Sequence, residues 1–270
     1  MRLPLFQVDA FTSQVFGGNP AAVVLLENPL PERTMQAIAM ENNLSETAFA
    51  LPLAGLSDLS HEGGIDLFGL RWFTPKVEVD LCGHATLATG FVLFNEGYVA
   101  GKEVHFDTQS GRLTVRREGD LLSMDFPSRP PEPVTVSRDF TESLGADPAE
   151  VLKARDHLAV FSTEEEVAAL KPDFAKMKTL DAYAIIATAP GKECDFVSRF
   201  FGPKAGLPED PVTGSAHCSL IPYWAAKLGK TRLHARQISQ RGGELICELR
   251  GDRVAIAGRA VLYLRGDIVF

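Results

Sequence analysis

The sequence predicts an α+β protein of two pseudo-symmetric lobes, each a curved, mostly antiparallel sheet rolled around one central helix. Three observations carry this. First, a segment occurs twice: Arg71-Trp72-Phe73-Thr74-Pro75-Lys76 is echoed 128 residues later by Arg199-Phe200-Phe201-Gly202-Pro203-Lys204. Each copy runs through acidic residues into a glycine turn, at Gly83 and Gly214, and then into an apolar run. Second, those apolar runs, Ala85–Asn95 and Ser215–Leu228, are too apolar for surface helices and so belong inside. Third, Ser128-Arg129-Pro130-Pro131-Glu132-Pro133 is a linker near the middle of the chain, where a duplication needs a boundary.

The elements follow in order. A strand from Val8, a turn at Gly17-Gly18-Asn19-Pro20 and a second strand, Ala21–Leu26, open the chain. Pro31–Asn43 reads as a helix, with Pro31 in its first turn and Asn42-Asn43 stopping it. Strands are predicted at Glu46–Leu51, Ile65–Phe73, Val104–Phe106, Arg112–Arg116 and Leu121–Phe126. The second half repeats the plan. A short helix runs from an N-cap at Ser137 to Leu144. Strands follow at Leu158–Phe161 and Tyr183–Thr188, with another ending at Phe201. After the second central helix come strands at Gln237–Gln240, Glu244–Arg250, Arg253–Ala257 and Ala260–Arg265. Arg265-Gly266-Asp267 reads as a tight turn. Regular strand–helix alternation is missing, which disfavours a parallel doubly wound sheet. The lobes are expected at 1–128 and 129–270, with the last strand, about 259–270, packing with the first.

Composition narrows the function. At 270 residues, 45% apolar and 23% charged, the chain reads as an ordinary globular protein. A net charge of −8 argues against nucleic acid or an anionic membrane as partner. The first residues carry no signal-peptide pattern, and no apolar stretch reaches the ~20 residues that span a bilayer. Four scattered cysteines, Cys82, Cys194, Cys218 and Cys247, suit a reducing cytoplasm.

The chemistry concentrates at the two glycine turns. The first N–H groups of a helix lack internal partners, and the dipole places roughly half a positive charge there. Two such ends facing one cleft would hold a carboxylate or a developing enolate. Glu46 opens a strand beside Ala48 and Ala50, where burial is expected to raise its pKa and suit it to general acid/base work. Taken singly, it also fits a strand-end surface charge. His84, at the first helix start, is a candidate proton shuttle or carboxylate donor, or a capping residue. Asp210 is a candidate proton acceptor or a turn residue before Pro211. Ser215 is a ligand hydroxyl or a helix cap. Cys82 and His84 are too few for a metal site. No P-loop or G-x-G-x-x-G turn indicates a nucleotide cofactor.

Together these segments resemble the PhzF-like isomerase family of phenazine biosynthesis. The matching pieces are Asp9-Ala10-Phe11, Gly18-Asn19-Pro20, Asn43-Leu44-Ser45-Glu46-Thr47, Phe73-Thr74-Pro75 and Gly83-His84. Glu209-Asp210-Pro211-Val212-Thr213-Gly214-Ser215 and Gly258-Arg259-Ala260 to Arg265-Gly266 complete the set. The resemblance implies the diaminopimelate-epimerase-like fold, a homodimer, and a site between the lobes that uses no cofactor or metal. It places the general acid/base at Glu46, with His84 and Asp210 assisting. It puts substrate contacts at Ser45, Gly83, Ala85, Thr213, Gly214 and Ser215. The expected reaction moves a proton between carbons of a small carboxylate-bearing substrate. Racemases of this fold use two thiols, one at each helix start. Here Cys82 stands before Gly83, but Thr213 stands before Gly214, so the pair is broken. A one-thiol epimerase or dehydratase using Cys82, and a non-catalytic binder of a metabolite or partner, are the alternatives.

Overall fold

The computed structural model describes residues 1–53 and 66–270. The chain divides into two compact units, Met1–Asp125 with Ala257–Phe270, and Phe126–Ile256. The final strand therefore belongs with the first unit. The start of the predicted strand at Ile65 lies outside the described residues.

The first unit contains β1 (Arg2–Ala10), β2 (Asn19–Leu25), α1 (Glu32–Asn42), β3 (Glu46–Pro52), β4 (Leu67–Phe73) and β5 (Glu78–Val79). It continues with α2 (Gly83–Asn95), β6 (Glu103–Thr108), β7 (Gly111–Glu118) and β8 (Leu121–Pro127), which reaches into the second unit. The second holds β9 (Glu132–Pro133), α3 (Arg138–Leu144), β10 (Glu150–Lys153), β11 (His157–Val160), α4 (Glu164–Ala169) and α5 (Phe174–Met177). Then come β12 (Ile185–Pro190), β13 (Phe196–Gly202), β14 (Leu207–Asp210), α6 (His217–Leu228), β15 (Arg232–Gln237), β16 (Gly243–Arg250) and β17 (Arg253–Gly258), whose last two residues belong to the first unit. The chain ends in β18 (Ala260–Val269).

The duplication is visible in the pairing. In the first unit β1–β2 is antiparallel, β2–β3 parallel, β3–β4 antiparallel, β4–β6 parallel and β6–β7 antiparallel. In the second, β10–β11, β11–β12, β12–β13, β13–β15 and β15–β16 repeat that alternation in the same order. The repeated sequence makes the same device in each unit. Arg71 grips Glu78 with two N–H···O bonds of 2.6 and 2.7 Å and lies 5.2 Å from the Phe73 ring centre. Arg199 grips Glu209 at 2.8 and 2.9 Å and lies 5.0 Å from the Phe201 ring. A bidentate guanidinium pair over an aromatic face fixes the hairpin that leads to each helix start.

Helix α2 is the centre of its unit. Ten of its thirteen residues are buried, and it packs against β1, β2, β3, β7 and β18. Gly90 is required by proximity, because a Cβ there would lie 2.8 Å from Val115 Cγ1 on β7. In α6 the buried stripe is His217, Cys218, Ser219, Leu220, Ile221, Trp224 and Ala225. Trp224 stacks on Phe196 with ring centres 5.6 Å apart and donates its indole N–H to Thr188 Oγ1 at 3.0 Å. Pro222 inside this helix has no N–H to bond the Cys218 carbonyl. That carbonyl instead accepts the Arg129 N–H at 2.8 Å, tying the linker to the helix.

Several expectations are corrected. Arg265-Gly266-Asp267 is no turn: it lies within β18 and pairs with Phe6, Leu5 and Pro4 of β1. The strand expected at 237–240 runs earlier, ending at Gln237. Ser137 sits at the N-cap of α3 but makes no capping hydrogen bond through its side chain. Strands β10 and β14 and helices α4 and α5 were not anticipated. Among the described residues, no helix is long and apolar enough to cross a membrane.

Candidate active site

The first unit brings Glu46, Cys82 and His84 together. Glu46 is fixed because α1 stops abruptly just before it. Asn43 takes a left-handed conformation (φ 50°), and its N–H closes on the Ala39 carbonyl. Three residues later β3 begins at Glu46, paired in parallel register with Ala21. Ser45 precedes it and is half-buried. Cys82 is the extended N-cap residue of α2, its carbonyl accepting the Thr86 N–H and, at 2.6 Å, the Thr86 hydroxyl. Gly83, His84 and Ala85 form the first turn.

His84 Nε2 lies 3.2 Å from Glu46 Oε2, and its Nδ1 lies 3.5 Å from Cys82 Sγ. Glu46 Oε2 is buried and, beyond this approach to His84, has no hydrogen-bond partner among the described residues. Burial, and secondarily the Glu46 charge, push the Cys82 thiol up. Burial also opposes a charged His84, but Cys82 and Glu46 more than offset it, holding His84 well above the ordinary histidine range. The sequence spacing offered Cys82 and His84 alone as metal ligands; folding adds Glu46, with donor atoms of all three within 4.8 Å of one another.

The second unit builds its own helix start. Asp210 ends β14, and a 3-10 turn at Gly214–Ala216 leads into α6. Asp210 Oδ2 accepts from the Thr213 hydroxyl at 2.5 Å. Gln237, from the end of β15, clamps this loop. Its Oε1 accepts the Thr213 N–H at 2.9 Å, and its Nε2 donates to the Asp210 carbonyl at 2.8 Å and to Thr213 Oγ1 at 3.2 Å. Ser239 adds a bond from its hydroxyl to the Pro211 carbonyl at 2.7 Å. Ser215 lies inside the 3-10 turn rather than capping the helix, and no hydrogen-bond partner of its hydroxyl is found among the described residues.

His217 is fully buried, and burial lowers its pKa to about 4, so it is neutral. Its Nδ1–H donates to the Thr213 carbonyl at 2.9 Å. Sequence reasoning missed both Gln237 and His217. His217 stands four residues after Thr213, the helical spacing that reaches the helix start. Gln237 gave no local signal, because its partners lie 24 to 27 residues away.

Comparison with known proteins agrees with this architecture. The family model described as "Phenazine biosynthesis-like protein" matches residues 8–266. An uncharacterized isomerase of Pseudomonas aeruginosa is 53% identical, over 99% of each chain. A crystal structure of a phenazine biosynthesis protein of the PhzF family from Enterococcus faecalis superposes with a TM-score of 0.93 at 47% identity, covering 100% of both chains. A probable proline racemase from Agrobacterium radiobacter shares the fold, with a TM-score of 0.66 at 12% identity over 99% of this chain and 93% of its own. The similarity to relatives named as isomerases gives the chain an isomerase-type activity. The chain belongs to the phenazine biosynthesis-like protein family.

Proposed function

We propose that the protein moves a proton between carbons of a small carboxylate-bearing substrate, without a cofactor, using Glu46 as general acid/base. The observation that carries this reading is the Glu46 carboxylate: half-buried, 3.2 Å from His84 Nε2, with Oε2 left without a hydrogen-bond partner. A base needs an open lone pair, and a buried one loses less to water. His84 steadies the carboxylate while Glu46 is ionised and offers a donor to charge developing on the substrate. The N–H groups of Gly83 and Ala85, at the start of α2, add a fixed positive end. Donors held in place this way are typically worth about 3–4 kcal/mol each, and a positioned base contributes roughly 10²–10⁴-fold.

The thiol reading has one observation in its favour, the 3.5 Å approach of Cys82 to His84. Burial keeps that thiol protonated, however, and the position matching Cys82 in the second unit is Thr213. The test is a screen of small carboxylic acids for carbon-bound hydrogen exchange in deuterated water. Exchange should fall by roughly 10²–10⁴-fold in Glu46→Gln. Alkylation of Cys82 that stops exchange in a Glu46→Gln-insensitive reaction would favour the thiol instead.

A further inference from the structure

We infer that Glu46, Cys82 and His84 form a seat for a borderline-soft divalent ion of the zinc class, and that such an ion blocks the site rather than assisting it. Three ligand types that zinc favours converge from two elements, β3 and the start of α2, with donor atoms within 4.8 Å of one another. Tetrahedral zinc, with bonds of roughly 2.3 Å to sulfur and 2.0–2.2 Å to nitrogen and oxygen, needs donor–donor spacings of about 3.3–3.6 Å. Here His84 Nε2 stands 3.2 Å from Glu46 Oε2 and 4.0 Å from Cys82 Sγ, so a small rotation of the thiol closes the set. Oε2 is buried and lacks a hydrogen-bond partner, so it is available as a ligand.

Charge supports the same ion. A thiolate, a carboxylate and a neutral imidazole cancel a dication, and the displaced thiol and imidazolium protons leave to solvent. The positive helix end opposes any cation, so binding depends on the metal–sulfur bond. Magnesium, which requires octahedral oxygen ligands, gains nothing here. Three protein ligands leave a fourth position open to water or to a substrate oxygen. The ion occupies the lone pair that proton transfer needs. Blocking therefore rests on the proposed role of Glu46, whereas binding does not.

The experiment titrates the full-length protein with Co²⁺, as a spectroscopic stand-in, followed by Zn²⁺ displacement. The expected result is one equivalent bound, with a sulfur-to-cobalt charge-transfer band that Zn²⁺ removes and excess Mg²⁺ does not. Cys82→Ala and Cys82→Ser should lose the band, weakening binding beyond the roughly 10–100-fold cost of losing a supporting residue. Cys194→Ala, which changes the least buried of the other thiols, should keep it. Absence of the band in the parent, its persistence in both folded Cys82 variants, or equal competition by Mg²⁺ overturns the inference. The role of Glu46 is read separately, from deuterium exchange in the presence of a chelator, so the two can fail independently.

Discussion

Replacing Gln237 with leucine keeps the side chain's approximate volume and removes its amide. In the folded protein Gln237 is 1% exposed and makes three hydrogen bonds to the Asp210–Thr213 loop. The substitution leaves the Thr213 N–H buried without its partner, which costs about 1–3 kcal/mol. The two bonds lost from Nε2 add roughly 0.5–1.5 kcal/mol each. The expected total is about 2–6 kcal/mol, a large fraction of the 5–15 kcal/mol typical of a folded domain. Urea unfolding should show this as a lower midpoint with an unchanged slope. The Thr213 amide should lose hydrogen-exchange protection before the rest of its unit. Gln240→Leu, three residues on and exposed, should stay within ~0.5 kcal/mol of the parent. If Gln237→Leu also stays within that margin, with the Thr213 amide still protected, the clamp does not hold this helix start.

Three further outcomes are expected. Gly90→Ala should destabilise by about 1 kcal/mol, since crowding against Val115 outweighs the helix-propensity gain, and Val115→Ala should restore much of the loss; an additive double mutant would contradict the contact. Stability should fall by about 3 kcal/mol as pH drops from 6.5 to about 4, because His217 must stay neutral when folded while the unfolded chain takes up a proton. His84 has the opposite sign: its contribution is complete below the ordinary histidine range and is lost as pH rises through its raised folded pKa. His217→Asn should therefore flatten the acid slope only, and an unchanged slope would remove His217 as its source. Cys82→Ala should keep most of the hydrogen-exchange activity, and a loss of several orders of magnitude with the fold intact would reinstate thiol chemistry.

What could be read from the sequence was what is encoded locally or twice. The apolar helices declared themselves through composition, and the repeated Arg-aromatic-aromatic segment declared the duplicated plan. Glu46 and His84 were picked out separately, each beside a chain-breaking turn, and the fold places them 3.2 Å apart. What was hidden depends on pairing across the chain. β10 and β14 are four-residue strands with too little pattern to register, and α5 is a single turn. Arg265-Gly266-Asp267 has turn composition, yet β1 supplies a partner along its length and overrides it. Glu46 as a third donor beside Cys82 and His84, and Gln237 as the clamp on Thr213, are contacts that no spacing rule reaches.

The most direct measurement of the central claim is deuterium incorporation at the carbon of a turned-over carboxylic acid, comparing the parent with Glu46→Gln. The substitution keeps the side chain's shape and removes the base. The expected result is unchanged binding of a substrate analogue with exchange reduced by roughly 10²–10⁴-fold. Exchange at the parental rate in Glu46→Gln would assign the proton transfer to another residue and contradict the mechanism.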